Sequence, residues 1–325
     1  MKEITIEFIQ QLNAWGTQKI PFLFMVDFEM QKPQTWKLSD VDPSEIKYNI
    51  HGFTNVPIGH HQSRVGNIKV LANSFEEYEK KFNLVFEQLK YGYSFLVNLT
   101  DKTRIETEFS LSFLFEQSKA RYKLLFKDEF LVFSPEIFVQ IREGKLFSFP
   151  MKGTIDANIP QAKEKILNDP KELAEHITIV DLIRNDISQV ASNVMVKRFR
   201  YIEEIRTHEK NLLQVSSEIV GDLTSDYSSR IGDLILSLLP AGSVSGAPKS
   251  KTVEIIRTAE QEKRGYYTGV FGYFDGVNLD SGVMIRYIER SGDKLFYRSG
   301  GGITTQSNAR AEYQELIDKV YVPID

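Results

Sequence analysis

Tyr122-Lys-Leu-Leu-Phe-Lys-Asp-Glu-Phe-Leu-Val-Phe-Ser-Pro-Glu-Ile-Phe-Val-Gln-Ile-Arg-Glu-Gly-Lys-Leu-Phe-Ser-Phe149 is the stretch that decides the fold class. It holds four strand-like runs, Tyr122–Phe126, Phe130–Phe133, Phe138–Ile141 and Lys145–Phe149, whose alternation and aromatic content fit antiparallel pairing. Ser94–Leu99 reads the same way upstream, as do Gly269–Phe274, Ser281–Glu289 and Lys294–Arg298 downstream. Between these runs the spacing turns helical. Phe75, Tyr78, Phe82, Val85, Phe86 and Leu89 recur on one face, with Ser74 as the N-cap. Asp169 caps a second helix, with Pro170 at its first position and Glu172 in its positive first turn, running to about Asn185. Further helices are predicted at Ser228–Leu239, Ser250–Glu260 and Ala309–Val320. Strands and helices interleave without strict alternation, which argues for α+β rather than a doubly wound sheet. Glu29–Ser74, with Pro33, Pro43, Pro57 and Gly59, reads as surface loops on one domain.

Composition narrows the function classes. The chain of 325 residues is 42% hydrophobic, enough to bury a sizeable core. Its net charge of -4 comes from both signs mixed along the chain, so no basic arm or stripe suggests nucleic acid. His51, His60, His61, His176 and His208 show no zinc-ligand spacing. The absence of cysteine excludes disulfides, iron–sulfur ligation and thiol chemistry within the chain. Acidic residues stand where a signal peptide would be apolar, and no run approaches the ~18 apolar residues of a membrane span. A cytoplasmic protein is the expectation.

Three groups of residues could carry chemistry. Glu312 and Glu315, three apart, project from one helix face, and Glu175 lies on the earlier helix with Asp181 and Asp186. Glutamates so spaced could hold Mg2+, although on spacing alone they equally suit a solvated acidic face. Pro240-Ala-Gly-Ser-Val-Ser-Gly-Ala-Pro-Lys249 is a loop of small residues before a helix, without the spacing of a nucleotide-binding P-loop. Gly300-Gly-Gly302 ends a strand before another helix. With Arg286 on an intervening strand, these elements could hold a ligand bearing two carboxylates, or simply be turns. Lys152 precedes Gly153 after a strand. It could be a turn residue, or a confined lysine that loses its proton and acts as nucleophile or base. Glu136, sixteen residues earlier, could exchange a proton across such a site.

Four segments in order give these residues a context: Ala174-Glu-His-Ile-Thr-Ile-Val-Asp-Leu-Ile-Arg-Asn-Asp186, Ala241-Gly-Ser-Val-Ser-Gly-Ala-Pro-Lys249, Arg264-Gly-Tyr-Tyr-Thr-Gly-Val-Phe-Gly-Tyr273 and Gly300-Gly-Gly-Ile-Thr-Thr-Gln-Ser-Asn-Ala-Arg-Ala-Glu-Tyr-Gln-Glu315. Together they resemble the chorismate-utilising enzymes, a family that includes anthranilate, aminodeoxychorismate, isochorismate and salicylate synthases. The resemblance runs from about Tyr91 to the C-terminus, with residues 1–90 a shortened, divergent part of the same single domain. It implies one large sandwich of two antiparallel sheets with helices outside. It also implies Mg2+ held by Glu175, Glu312 and Glu315, and substrate contacts from Arg286, Tyr267, Ser243, Gly300, Gly301, Gly302 and Lys319. Lys249 matches a family lysine as well.

Pro150-Met-Lys-Gly-Thr154 and Ser134-Pro-Glu-Ile-Phe138 resemble the aminodeoxychorismate branch, where anthranilate synthases typically have alanine at the lysine. That branch implies attack of Lys152 at C2 of chorismate as the C4 hydroxyl leaves, followed by ammonia at C4, with Glu136 as acid and base. Its product serves 4-aminobenzoate and folate synthesis. Gln214 stands where the family has a histidine, and glutamine cannot exchange a proton near neutrality. With no cysteine, the chain would draw ammonia from a separate glutamine amidotransferase. Release of pyruvate would fall to a separate lyase. Anthranilate synthase, isochorismate synthase and a catalytically impaired chorismate-binding protein are the rival readings.

Overall fold

The computed structural model describes residues 3–57, 68–206 and 211–323. Gly59, His60, His61 and His208 lie outside the described residues. Two antiparallel sheets, each of nine strands among the described residues, pack face to face with helices on their outer sides. The first sheet runs in the order Met151–Asp156, Asn211–Asp222, Lys145–Ser148, Ile137–Arg142, Leu279–Val283, Val270–Phe274, Phe22–Val26, Gln34–Lys37, with Ser192–Arg206 on the other side of Asn211–Asp222. The second runs Gly246–Ala247, Leu96–Glu106, Lys294–Ile303, Tyr287–Ser291, Phe130–Ser134, Tyr122–Phe126, Ile46–Ile50, Phe53–Thr54, with Lys69–Leu71 beside Leu96–Glu106.

Alternation along the strands builds three layers of core. Leu23, Met25, Tyr48, Tyr122, Leu124, Val132, Phe271 and Tyr287 fill the space between the sheets. Helices Glu3–Thr17, Pro170–Ile187 and Ile231–Ser237 cover the outside of the first sheet through Phe8, Leu12, Val180, Ile187, Ile231 and Ile235. Helices Phe75–Lys90, Lys249–Glu260 and Ala309–Asp318 cover the second through Tyr78, Phe82, Val85, Ile255, Ile256 and Leu316. Each such side chain contributes about 1.5–3 kcal/mol on burial. No helix among the described residues is long and apolar enough to cross a membrane.

The predicted caps are present. Ser74 forms a reciprocal capping box with Glu77, and Asp169 accepts from the Glu172 amide ahead of Pro170. Two expectations need correction. Glu29–Ser74 is not only loop: it contains the short strands Gln34–Lys37, Ile46–Ile50, Phe53–Thr54 and Lys69–Leu71, of which Ile46–Ile50 and Lys69–Leu71 pair with Tyr122–Phe126 and Leu96–Glu106, distant in sequence. Ser281–Glu289 is not one strand. It breaks into Leu279–Val283 and Tyr287–Ser291 because the chain passes there from one sheet to the other. Gly300–Gly302 does close its strand, which ends at Ile303 ahead of the helix Ala309–Asp318, and the three glycines pair with Thr100, Leu99 and Asn98. The long strands Ser192–Arg206 and Asn211–Asp222, the strand Phe22–Val26 and the helix Glu3–Thr17 were not anticipated.

Candidate active site

Two crossings between the sheets lie side by side and carry the first two candidates. The chain leaves Phe130–Ser134 for Ile137–Arg142 through Pro135 and Glu136, and leaves Leu279–Val283 for Tyr287–Ser291 through Arg286. The Val283 amide donates to the Glu136 carbonyl at 3.1 Å, and the Phe133 amide to the Arg286 carbonyl at 3.0 Å. Arg286 is therefore not on a strand. It sits at φ 53, a left-handed value that non-glycine residues adopt where the chain is forced to turn. Its Nε is buried without a hydrogen-bond partner, and its guanidinium stands over Tyr321 at 5.1 Å. A buried donor left so is suited to a ligand acceptor. Burial pushes the Glu136 carboxyl above the usual range, opposed by the Ser243 hydroxyl that donates to it and by Arg286, Lys152 and Lys319. A small pocket open to solvent is lined by Glu136 and Ser243 together with Phe138, Phe149, Asp186 and Val283.

Lys152 is neither a turn residue nor a deprotonated one. It lies on Met151–Asp156, where the register to Asn211–Asp222 shifts between Met151 and Thr154 and Gly153 takes φ +91. The strand presses against the helix Pro170–Ile187: a Cβ at Gly153 would stand 2.8 Å from Glu172 Oε2. Lys152 Nζ meets Glu175 Oε2 at 2.8 Å. Burial by itself would lower the lysine, but Glu175, then Glu315 and Glu172, outweigh it and hold the ammonium above its ordinary range. The expectation from confinement alone missed these carboxylates, which only the fold brings close.

The strand Lys294–Ile303 joins this pair to the last helix. A Cβ on Gly301 would lie 3.4 Å from Glu312 Oε2, 3.7 Å from Glu315 Oε1 and 3.7 Å from Lys319 Nζ. A Cβ on Gly302 would lie 3.5 Å from Lys152 Nζ. Lys319 bonds Glu315 at 2.6 Å and the Gly300 carbonyl at 2.8 Å, while Ser307 donates to Glu312 at 2.7 Å. Burial lowers Lys319, with Glu315 opposing and Arg286 and Lys152 reinforcing the shift. The fold thus brings Glu136, Lys152, Glu175, Arg286, Gly300–Gly302, Glu312, Glu315 and Lys319 toward one region, where the charges of Lys152, Lys319, Arg286, Glu136 and Glu315 act on one another.

The donor set suits a hard divalent ion, being carboxylate oxygens from two helices with a glycine strand leaving space before them. Among the described residues, however, no three acidic or histidine side chains stand as a finished metal cage. The ammonium of Lys152 faces Glu175 instead.

The remaining candidates sit less centrally. Tyr267 belongs to the intersheet core, its ring 5.7 Å from Tyr287; burial pushes its hydroxyl up to about 12, with Arg264 opposing, so it is a neutral donor. Gln214 is half-buried on Asn211–Asp222, opposite Thr154 and Glu203. Lys249 binds Asp186 at 2.8 Å and the Leu238 carbonyl at 3.1 Å, tying its helix start to Pro170–Ile187. His176, not singled out from sequence, is fully buried on the helix Pro170–Ile187 and meets Ser217 Oγ through Nε2 at 2.7 Å. Burial pushes it down to about 4. Its only sequence signal was a histidine within the otherwise amphipathic run Ala174–Asp186.

The family model described as chorismate binding enzyme matches residues 16–325, reaching well ahead of Tyr91. An "Uncharacterized PabA-like protein" of Haemophilus influenzae is 48% identical over 318 residues, 98% of this chain and 97% of that protein. "Aminodeoxychorismate synthase component 1" of Salmonella typhimurium is 32% identical over 259 residues, 75% of this chain and 56% of that protein. Proteins named anthranilate synthase component 1 match at a similar level. Among solved structures, a putative 2,3-dihydroxybenzoate-specific isochorismate synthase from Bacillus anthracis aligns with TM-score 0.72 at 19% identity, over 97% of this chain and 86% of that one.

Proposed function

This chain belongs to the chorismate-binding enzyme family, and on that premise we propose that it exchanges the C4 hydroxyl of chorismate for ammonia, forming 4-amino-4-deoxychorismate. The observation that carries the choice among family reactions is Lys152 itself: an amine beside Gly302, paired with Glu175 and within the field of Glu315. In this reading the Lys152 amine forms a bond to C2, the ring double bonds shift, and the C4–O bond breaks. Glu136, inclined by burial to keep its proton, supplies that proton so the hydroxyl leaves as water. Ammonia then adds at C4, and the C2–N bond breaks to restore the amine. Arg286, with its unsatisfied Nε, and Lys319 would take substrate carboxylates.

Mg2+, if bound by Glu175, Glu312 and Glu315, would supply positive charge for the ring carboxylate. Lys152 must shed its proton before it can attack, and the pairing with Glu175 opposes that. Ammonia would come from a separate amidotransferase, since this chain has no cysteine to hydrolyse glutamine in the usual way.

The test is turnover of chorismate by the purified chain with Mg2+ and ammonium salt, products resolved with and without an added aminodeoxychorismate lyase. The expected product becomes 4-aminobenzoate only when the lyase is present. Anthranilate without lyase would sink the reading, as would full activity in Lys152→Ala, for which a loss of about 100-fold or more is expected.

A further inference from the structure

Each carboxylate assigned to the metal already faces a donor from the chain itself. Lys152 Nζ is 2.8 Å from Glu175, Lys319 Nζ is 2.6 Å from Glu315, and the Ser307 hydroxyl is 2.7 Å from Glu312. Lys319 borders Gly301 and Lys152 borders Gly302, adjacent residues whose side-chain directions oppose across one strand, and the two ammonium groups still lie near enough to act on each other. Glu315 acts on both lysines. A divalent ion drawing on the same oxygens would stand within a few ångströms of an ammonium, and like charges at such range in a partly dry site repel strongly. One of the two cations has to give way. Lys319 has a second tether in the Gly300 carbonyl, so Lys152 is the group placed to move.

Taking the metal site of the preceding reading as given, we propose that Lys152 and Lys319 are resident counter-cations of the carboxylate cluster, and that entry of a divalent ion releases Lys152 from Glu175. The device orders the assembly of the site. Without the ion, the amine is masked by its ion pair and the three carboxylates are not left as uncompensated charge inside the protein. With the ion, Glu175 is engaged elsewhere and Lys152 turns to the ring. Linkage makes the effect reciprocal: whatever the ion does to the lysine, the lysine does to the ion.

Two measurements without turnover test this. The first is calorimetric titration of Mg2+ into the substrate-free protein. Lys152→Met is expected to bind Mg2+ about tenfold more tightly than wild type, and Glu175→Gln at least about tenfold more weakly. If Lys152→Met binds equally or more weakly while Glu175→Gln still loses affinity, the competition is overturned and the metal site stands. If wild type and Lys152→Met both fail to bind Mg2+, the metal reading fails and this proposal with it. The second uses wild-type protein only, so it survives a variant that does not fold. Amine-reactive labelling mapped by mass spectrometry should rise several-fold at Lys152 on adding Mg2+, relative to exposed Lys294. Unchanged or reduced labelling at Lys152 overturns the proposal.

Discussion

Glu136 shows what a single side chain gains from its surroundings. In the sequence it follows a proline between two strand runs; in the fold it ends at the seam of the sheets, its carboxyl inside the protein and accepting from Ser243. Burial raises it, so the folded protein binds a proton there at pH values where the unfolded chain has lost it. Wild-type stability should therefore fall as pH rises from the ordinary carboxylate range through the raised value, and Glu136→Gln should lack that fall. Thermal unfolding of both at pH 4.5 and pH 7 checks this. The same substitution should cost about 100- to 10,000-fold in kcat with little change in chorismate KM, and remove the alkaline limb of the pH–rate profile that the acid imposes. A profile unchanged in shape would take Glu136 out of the proton transfer. None of this was available from residue identity, because carboxylates show burial only once the chain is folded.

At the scale of one element, the strand Lys294–Ile303 separates two uses of glycine. Gly300 lies against its neighbour strand so closely that a Cβ would meet Leu99 O at 2.6 Å and Thr100 Cγ2 at 2.6 Å. At Gly301 the same atom meets only side-chain ends, at 3.4 Å and beyond. Gly300→Ala should thus lower stability by about 1–3 kcal/mol, measured by denaturant unfolding. Gly301→Ala should unfold within about 0.5 kcal/mol of wild type yet lose about tenfold or more in chorismate turnover, because its methyl enters the space before Glu312, Glu315 and Lys319. Equal effects of the two on stability would contradict this division. The sequence showed three glycines near a strand and a helix; which glycine serves the sheet and which the ligand depends on register. Helix termini were legible for the opposite reason. Ser74 and Asp169 satisfy amides within three residues, so their signal is local.

Over the whole molecule, Arg264 ties parts that are far apart in the chain. Fully buried, it reaches Glu260 at 2.6 Å, the Val244 carbonyl at 2.8 Å and the Asn98 carbonyl at 2.7 Å, with Phe28 beneath its guanidinium. Glu260 in turn accepts from the Thr100 amide and hydroxyl. Arg264→Met should cost about 3–5 kcal/mol, since it strands a buried carboxylate, and adding Glu260→Gln should recover part of that loss. Denaturant titration of the single and double variants decides the point; an additive double variant would mean the two residues act apart. The amino-acid order by itself determined the α+β class, the capped helices, the core face of Phe75–Lys90 and the four segments that mark the chorismate-binding family, because each is written in local spacing or residue type. It could not show Arg286 at a crossing, the strands Ser192–Arg206 and Asn211–Asp222, or the charge on Lys152. Asn211–Asp222 takes its place in the sheet from Lys145–Ser148 and Met151–Asp156, more than fifty positions earlier, and a lysine's protonation answers to carboxylates set beside it by tertiary packing. Lys152 was legible as a candidate from Pro150-Met-Lys-Gly-Thr154; that it is an ammonium held by Glu175 was decided only when an edge strand and a helix closed on each other.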